Sequence, residues 1–382
     1  MRNLSGASLV AVVCAAQVLA QIGAYFWPAL LPGMIPLWGL SNSEAGWITA
    51  IFYAAYMVAV PILVTLTDRV DAKHVYLFGV GWAGTYMTGL KLLADQVDTR
   101  LISRAVTGHA ASIGVSGALS FSCAGLLAEF YGWPAAFIVA GLSAGAAWLV
   151  VALSVPRRAR PLPPANDGYR LFDFRPVFRN RSAMAYSLGY CIHTLEMNAL
   201  RGWGVAFLGF VAVSTGAAGT PLSPTFVLTA LGLIGTAASV LGNEAAIRLG
   251  RRKLIGFAML ASIMVGGSIG FIGTLSYPLA VGLLLLYGFA VWLDSSSLTA
   301  GSAGTADPAR RGATLAVHST LGYAGGFVGP LMIGVILDLG GGMSRASWGA
   351  AFLAVAVLML LALLAFWFIR PRELAGDRGN RE

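Results

Sequence analysis

The chain has 382 residues, a net charge of +9, 57% hydrophobic residues and only 11% charged ones. Soluble globular domains carry about 25% charged residues, so this chain has too few charges to coat a water-facing surface, and its apolar content excludes disorder. Its 48 glycines fit the same reading, because glycine is more frequent in transmembrane than in soluble helices. The composition is that of an integral membrane protein.

Runs free of Asp, Glu, Lys and Arg cover 3–43, 45–67, 105–128, 130–156, 202–243, 254–293, 312–337 and 346–369. A helical crossing takes about 20 apolar residues, whereas barrel strands show segments of about ten residues alternating in polarity. These runs do not alternate, so an all-α polytopic bundle is expected. In chain order the spans are 8–31, 45–66, 75–93, 105–128, 133–155, 183–211, 224–247, 254–275, 279–301, 313–337 and 347–369, about eleven transmembrane helices. Arg2, the apolar stretch from Ala7 and Val18-Leu19-Ala20 imitate a cleaved leader. The apolar character continues through Gln21 to Leu31, however, as a whole spanning helix requires.

Basic residues sit in the short loops, which is a topological signal and not a face for phosphates, so no nucleic-acid partner is expected. Arg248, Arg251, Arg252 and Lys253 share one loop, Arg310 and Arg311 another, and Arg370, Arg372, Arg378 and Arg381 the tail. Six spans that start and end in the cytoplasm follow. Segment 156–181, with seven arginines, is a basic cytoplasmic linker between an N-terminal bundle (1–155) and a C-terminal six-helix bundle with a short tail (182–382). Both termini are then cytoplasmic. Arg69 and Lys73, and later Arg100 and Arg104, also read as cytoplasmic, so 75–93 must leave and return although it is long enough for one crossing only. Cys14, Cys123 and Cys191 lie apart without metal-ligand spacing, so no disulfide framework, metal or cofactor is expected.

Asp68-Arg69 followed by Lys73 after the second span, with Val64 and Asp71 in place of two glycines, resembles the loop signature of the major facilitator superfamily. Arg248-Leu249-Gly250-Arg251-Arg252 is similar to the matching loop of the second half, with Ile247 where an acid is expected. Asp307-Pro308-Ala309-Arg310-Arg311-Gly312 and the glycine-rich stretch 322–329 ending at Pro330 resemble the loop and eleventh helix of bacterial members. The resemblance implies two pseudo-symmetric helical bundles, shortened around the third and fourth helices. It also implies a secondary transporter of the bacterial cytoplasmic membrane, monomeric, working by alternating access. Asp68, Arg69, Lys73, Arg248, Gly250, Arg251 and Arg252 are its candidate gating-loop residues.

An ionisable residue at membrane depth costs at least about 2.5–3.5 kcal/mol, so each needs a reason. His193, Glu196, Asn198 and Arg201 are grouped in 183–211. At 100° per residue Glu196 lies about 60° to one side of His193 and Arg201 about 80° to the other, so all three share a face. Burial disfavours a charged carboxylate, and imidazole changes charge near neutrality, which together equip a proton relay. Arg201 alternatively forks onto a planar anion, and Glu196 with Arg201 alternatively forms a buried helix-locking pair. Asp294, followed by Ser295, Ser296, Ser297 and Thr299, suits a hydrated cation or proton pathway; otherwise the hydroxyls bond their own helix carbonyls. Gln21 and Tyr25 share a face of the first span and are the remaining candidate substrate contacts.

The expected partners are protons, membrane lipids and a small solute, either an organic or inorganic anion or a drug-like compound. No HExxH, GxSxG or paired-carboxylate motif lies in a plausible context, and the acids are spread over different helices, so the chain is not read as an enzyme. The alternative is a transport-incompetent remnant or a non-transporting membrane binding protein.

Overall fold

A backbone in lipid must satisfy every N–H and C=O internally, so uncharged runs of this length become helices. The computed structural model describes residues 6–66, 70–78, 85, 88–89, 92–93, 96–97, 99–156, 174–217, 219, 222–307, 310–374 and 377. Among these residues there is no strand, and ten helices are long and apolar enough to cross a membrane. The expected span 75–93 lies largely outside the described residues, as do Asp68, Arg69 and most of the linker. Exposed side chains such as Val240, Leu241, Phe257, Met264, Leu361 and Phe368 give the helices an apolar outer surface suited to lipid.

The first expected span is two helices, α1 (Gly6–Gln21) and α2 (Phe26–Trp38). At the bend between them the Tyr25 N–H donates to Ser120 Oγ at 2.9 Å, replacing a bond lost from the helical ladder. Gly23 lets this bend lie on a neighbour, since a Cβ there would stand 2.6 Å from that of Ala140. α3 (Asn42–Leu66), α4 (Ala72–Phe78), α5 (Thr99–Tyr131) and α6 (Trp133–Ser154) follow.

After the short α7 (Arg175–Arg179), Asn180 caps α8 (Arg181–Ser214): its Oδ1 accepts from Ala183 N at 3.1 Å. α9 (Pro224–Leu249) and α10 (Arg251–Ile272) meet at Gly250, whose φ of +101° suits glycine alone. The expected span 279–301 is again two helices, α11 (Tyr277–Trp292) and α12 (Ser295–Gly304), broken at Leu293 and Asp294. α13 (Arg311–Leu339) and α14 (Arg345–Ile369) complete the fold.

Two compact units emerge, one of 1–26 with 58–171 and one of 27–57 with 172–382. In the first, Leu9, Val13 and Ala16 of α1 pack with Tyr76, Ala105 and Val151. In the second, α13 lies on α8 at backbone contact: a Cβ at Gly325 would run into the Cys191 carbonyl and one at Gly329 into that of Leu195. The glycine-rich stretch is therefore a helix-packing stripe. Segment 27–57 joins this unit through Asp338, whose carboxylate accepts from Asn42 N (3.0 Å), Asn42 Nδ2 (2.8 Å) and Ser43 N (2.7 Å) at the start of α3.

Candidate functional site

α8 packs among α9, α11, α12, α13 and α14, and its polar side chains His193, Glu196 and Asn198 are buried there. Glu196 is 1% exposed, and its Oε1 accepts from Ser262 Oγ of α10 and from Tyr287 OH of α11, both at 2.7 Å. His193, one turn earlier, sets Nδ1 2.9 Å from Asp294 Oδ1, and both side chains are nearly inaccessible. The pair is at ion-pair distance without the alignment of a hydrogen bond, and His193 Nε2 has no hydrogen-bond partner in the protein. Arg201, half-buried, lays its guanidinium 4.7 Å from the Trp292 ring centroid, a cation–π arrangement.

Asp294 reaches His193 from the α11–α12 break, where it is the N-cap of α12 and its carbonyl accepts from Leu298 N at 2.9 Å. The break is fitted closely: a Cβ at Gly242 of α9 would collide with the Leu293 carbonyl oxygen. The hydroxyl run after Asp294 divides its bonds. Thr299 Oγ1 donates to Ser295 O at 3.3 Å, Ser296 pairs with Ser239 at 2.6 Å, and Ser297 Oγ is buried without a partner.

His318 of α13 extends the cluster, and sequence reading passed over it because it lies in a run defined by lacking Asp, Glu, Lys and Arg. Its Nδ1 is 3.2 Å from Ser187 Oγ and its Nε2 3.2 Å from Thr299 Oγ1. The Tyr190 ring stacks between the two imidazoles, 4.1 Å from His318 and 5.7 Å from His193. A helical signal existed, since Tyr190 and His193 are one turn apart, but the partner helix could not be read from spacing.

The structure thus brings His193, Glu196 and Asp294 together, while Arg201, further along α8, stacks on Trp292. Asn198 lies on another face, donating to Thr194 O at 2.8 Å against Gly326 of α13. Gln21 and Tyr25 belong to the other compact unit, where Gln21 accepts from Gln17 at 3.0 Å and Tyr25 stacks on Phe121 at 5.1 Å.

Of the gating-loop candidates, Lys73 is buried and donates from Nζ to the Ala152 carbonyl at 2.9 Å and to that of Val155, capping the end of α6. Asp71, standing where a glycine was expected, accepts from Lys73 N at 3.1 Å. Arg248 is exposed, whereas Arg251 is 2% exposed and Arg252 pairs with Glu373 at 3.1 Å. Among the described residues no group of three His, Cys, Asp or Glu side chains is placed to hold a metal.

The Major Facilitator Superfamily model matches residues 77–330. The chain belongs to this superfamily. It is therefore a multi-pass membrane protein and a secondary transporter with a small-molecule solute. The chain is 25% identical over 417 residues to Protein spinster homolog 1 of Homo sapiens, covering 94% of this chain and 78% of the relative. Among solved structures it resembles the nucleoside transporter NupG (TM-score 0.75, 16% identity, 94% of this chain and 99% of that one). It also resembles a bacterial homolog of the human lysosomal transporter Spinster in an inward-facing, occupied conformation (TM-score 0.72, 14% identity, 96% and 97% covered). At these identities the structural likeness speaks for the fold.

Proposed function

We propose that this transporter couples movement of a small anionic solute to protons, using Glu196, His193 and Asp294 as the proton-exchanging groups. The observation that carries the reading is one buried cluster of three titratable side chains in which His193 Nε2 makes no hydrogen bond within the protein. A purely structural cluster is normally satisfied throughout. An imidazole with a free edge is instead poised to gain and lose a proton. Glu196 keeps the same two hydroxyl partners whether or not it carries a proton, because Ser262 and Tyr287 each rotate a hydroxyl to suit.

Arg201 supplies the complementary half. Its planar fork, stacked on Trp292 and half-exposed, suits a carboxylate or phosphate group. Loss of the proton from the nearby acids changes the field in which that anion is held, so solute and proton are linked. We place the protein in the bacterial cytoplasmic membrane with both termini in the cytoplasm, on the strength of the arginine-rich loops and tail.

Glu196→Gln tests this directly. In proteoliposomes offered labelled nucleosides, the class that the name of a structural neighbour suggests, and organic anions, the class that Arg201 suits, the variant is expected to retain solute counterflow while losing accumulation driven by a pH gradient. Undiminished accumulation would overturn the proton role of Glu196. Absence of any flux in the wild type, with the protein well folded, would favour the remnant reading.

A further inference from the structure

The loop between α9 and α10 lacks the acid expected at Ile247, and the structure supplies one from elsewhere. Asp377 of the C-terminal tail grips Arg251 with both oxygens: Nε donates to Oδ2 at 3.0 Å and Nη2 to Oδ1 at 3.1 Å. Both side chains are almost fully buried, at 2% and 3% exposure, so this is a desolvated bidentate pair and not a surface contact. The remaining donor, Nη1, is directed inward to Asn243 Oδ1 at 3.2 Å and to the Ser297 carbonyl at 3.3 Å.

Ser297 stands on the first turn of α12, three residues beyond Asp294, which begins that helix at the break. The break is held from two sides. Gly242 receives the Leu293 carbonyl, and Arg251, reached from the adjoining residue Asn243, holds the Ser297 carbonyl. Between these two fixed points lies the carboxylate that faces His193. Glu373 secures the tail separately, accepting from the Arg251 and Arg252 backbone N–H groups at 2.8 and 3.1 Å, a helix cap on α10 that does not touch the Arg251 guanidinium.

We infer that the C-terminal tail is part of the coupling machinery: Asp377 is a positioning residue that acts through Arg251 and the Ser297 carbonyl to hold Asp294 opposite His193. This inference gives the tail a role in the proton site proposed above and rests on that reading for its transport consequence, though the positional link stands without it. The groups that bear on His193 are Asp294, Glu196, Tyr190 and His318, and those that bear on Arg251 are Asp377, Glu373, Asn243 and Tyr186. The tail also meets α8 directly, where Tyr186 OH donates to the Arg372 carbonyl at 2.8 Å and Arg372 N–H to Ser182 Oγ at 3.1 Å, so Glu373→Gln, which loosens the tail without removing the carboxylate on Arg251, separates that route from the one through the α11–α12 break.

The chain has four histidines, so ring titrations are separable by nitrogen-15 NMR of histidine-labelled protein in nanodiscs, assigned with single His→Gln variants. The His193 midpoint is measured in wild type, Asp294→Asn, Asp377→Asn, Asp377→Glu and Glu373→Gln. The expected result is that Asp377→Asn moves the midpoint most of the way to the Asp294→Asn value, Asp377→Glu restores it, and Glu373→Gln leaves it in place. A His193 midpoint unchanged in Asp377→Asn overturns the inference, as does an equal shift in Glu373→Gln, which would mean mere loosening of the tail. Should Asp377→Asn not yield folded protein, the comparison of Asp377→Glu with Asn243→Ala decides: the inference requires the second to shift His193 and the first not to. Because the readout is ring titration and not transport, a failure here is distinguishable from a failure of proton coupling.

Discussion

Glu196 is held by two hydroxyl donors from two different helices, so its surroundings survive the loss of either one better than the loss of both. A hydrogen bond to an ionised group contributes about 1.5–3 kcal/mol and one to a neutral group about 1 kcal/mol. Tyr287→Phe should therefore lower the thermal midpoint of the purified protein measurably, and combining it with Ser262→Ala should cost more than the sum of the two, since the carboxyl is then buried without a donor. Arg201→Lys is a sharper test of solute binding. It keeps the charge and discards the planar face stacked on Trp292, a contact worth about 0.5–2 kcal/mol. The half-saturating concentration of an anionic solute should rise several-fold, with little change for an uncharged one. The membrane cost of ionisable groups made His193, Glu196, Arg201 and Asp294 visible in sequence; Tyr287 and Ser262 were not, because their hydroxyls carry no such cost, and His318 was hidden in a run defined by lacking Asp, Glu, Lys and Arg.

At the scale of elements, two bends decide where side chains go. Both α1–α2 and α11–α12 read as single uninterrupted spans, since nothing in a run of apolar residues marks a bend whose cause is a neighbour: Ser120 and Ala140 for the first, Gly242 for the second. Gly242→Ala should destabilise the protein by about 1–3 kcal/mol, the usual cost of overpacking, because the added methyl meets a backbone carbonyl that cannot rotate away. Gly282→Ala in α11, where a Cβ would have nothing within 4 Å, should be neutral or stabilising by up to about 1 kcal/mol from helix propensity. Thermal midpoints of the two variants in the same detergent check the contrast. Asp338 caps α3 across nearly three hundred residues of sequence, a partnership that no local pattern discloses. Asp338→Ala should cost about 0.5–2 kcal/mol, visible in the same assay, and should loosen segment 27–57, seen as faster hydrogen exchange at the start of α3.

For the whole molecule, charge scarcity and charge placement carried most of the reading: a helical membrane protein and ten of the spans follow from where charged residues are absent, and the family from the loop motifs that begin at Asp68, Arg248 and Asp307. What the chain could not disclose was the substitution of a distant acid for a local one, Asp377 for the residue missing at Ile247, because spacing shows only neighbours in sequence. The proposed orientation is checked by replacing Cys14, Cys123 and Cys191, introducing Thr99→Cys, and labelling intact cells with an impermeant thiol reagent. Protection in intact cells and labelling after permeabilisation are expected, since segment 95–104 and the tail are proposed to share the cytoplasmic side.

The most direct test of proton-coupled transport is solute-driven proton movement. Proteoliposomes enclosing a pH-sensitive dye are given nucleosides and organic anions in turn, with wild type and Glu196→Gln compared in parallel. The account predicts that a solute which moves in the wild type carries a pH change with it, and that Glu196→Gln exchanges the same solute with no pH change. Solute movement without proton movement in the wild type, or an identical proton signal in Glu196→Gln, would contradict it.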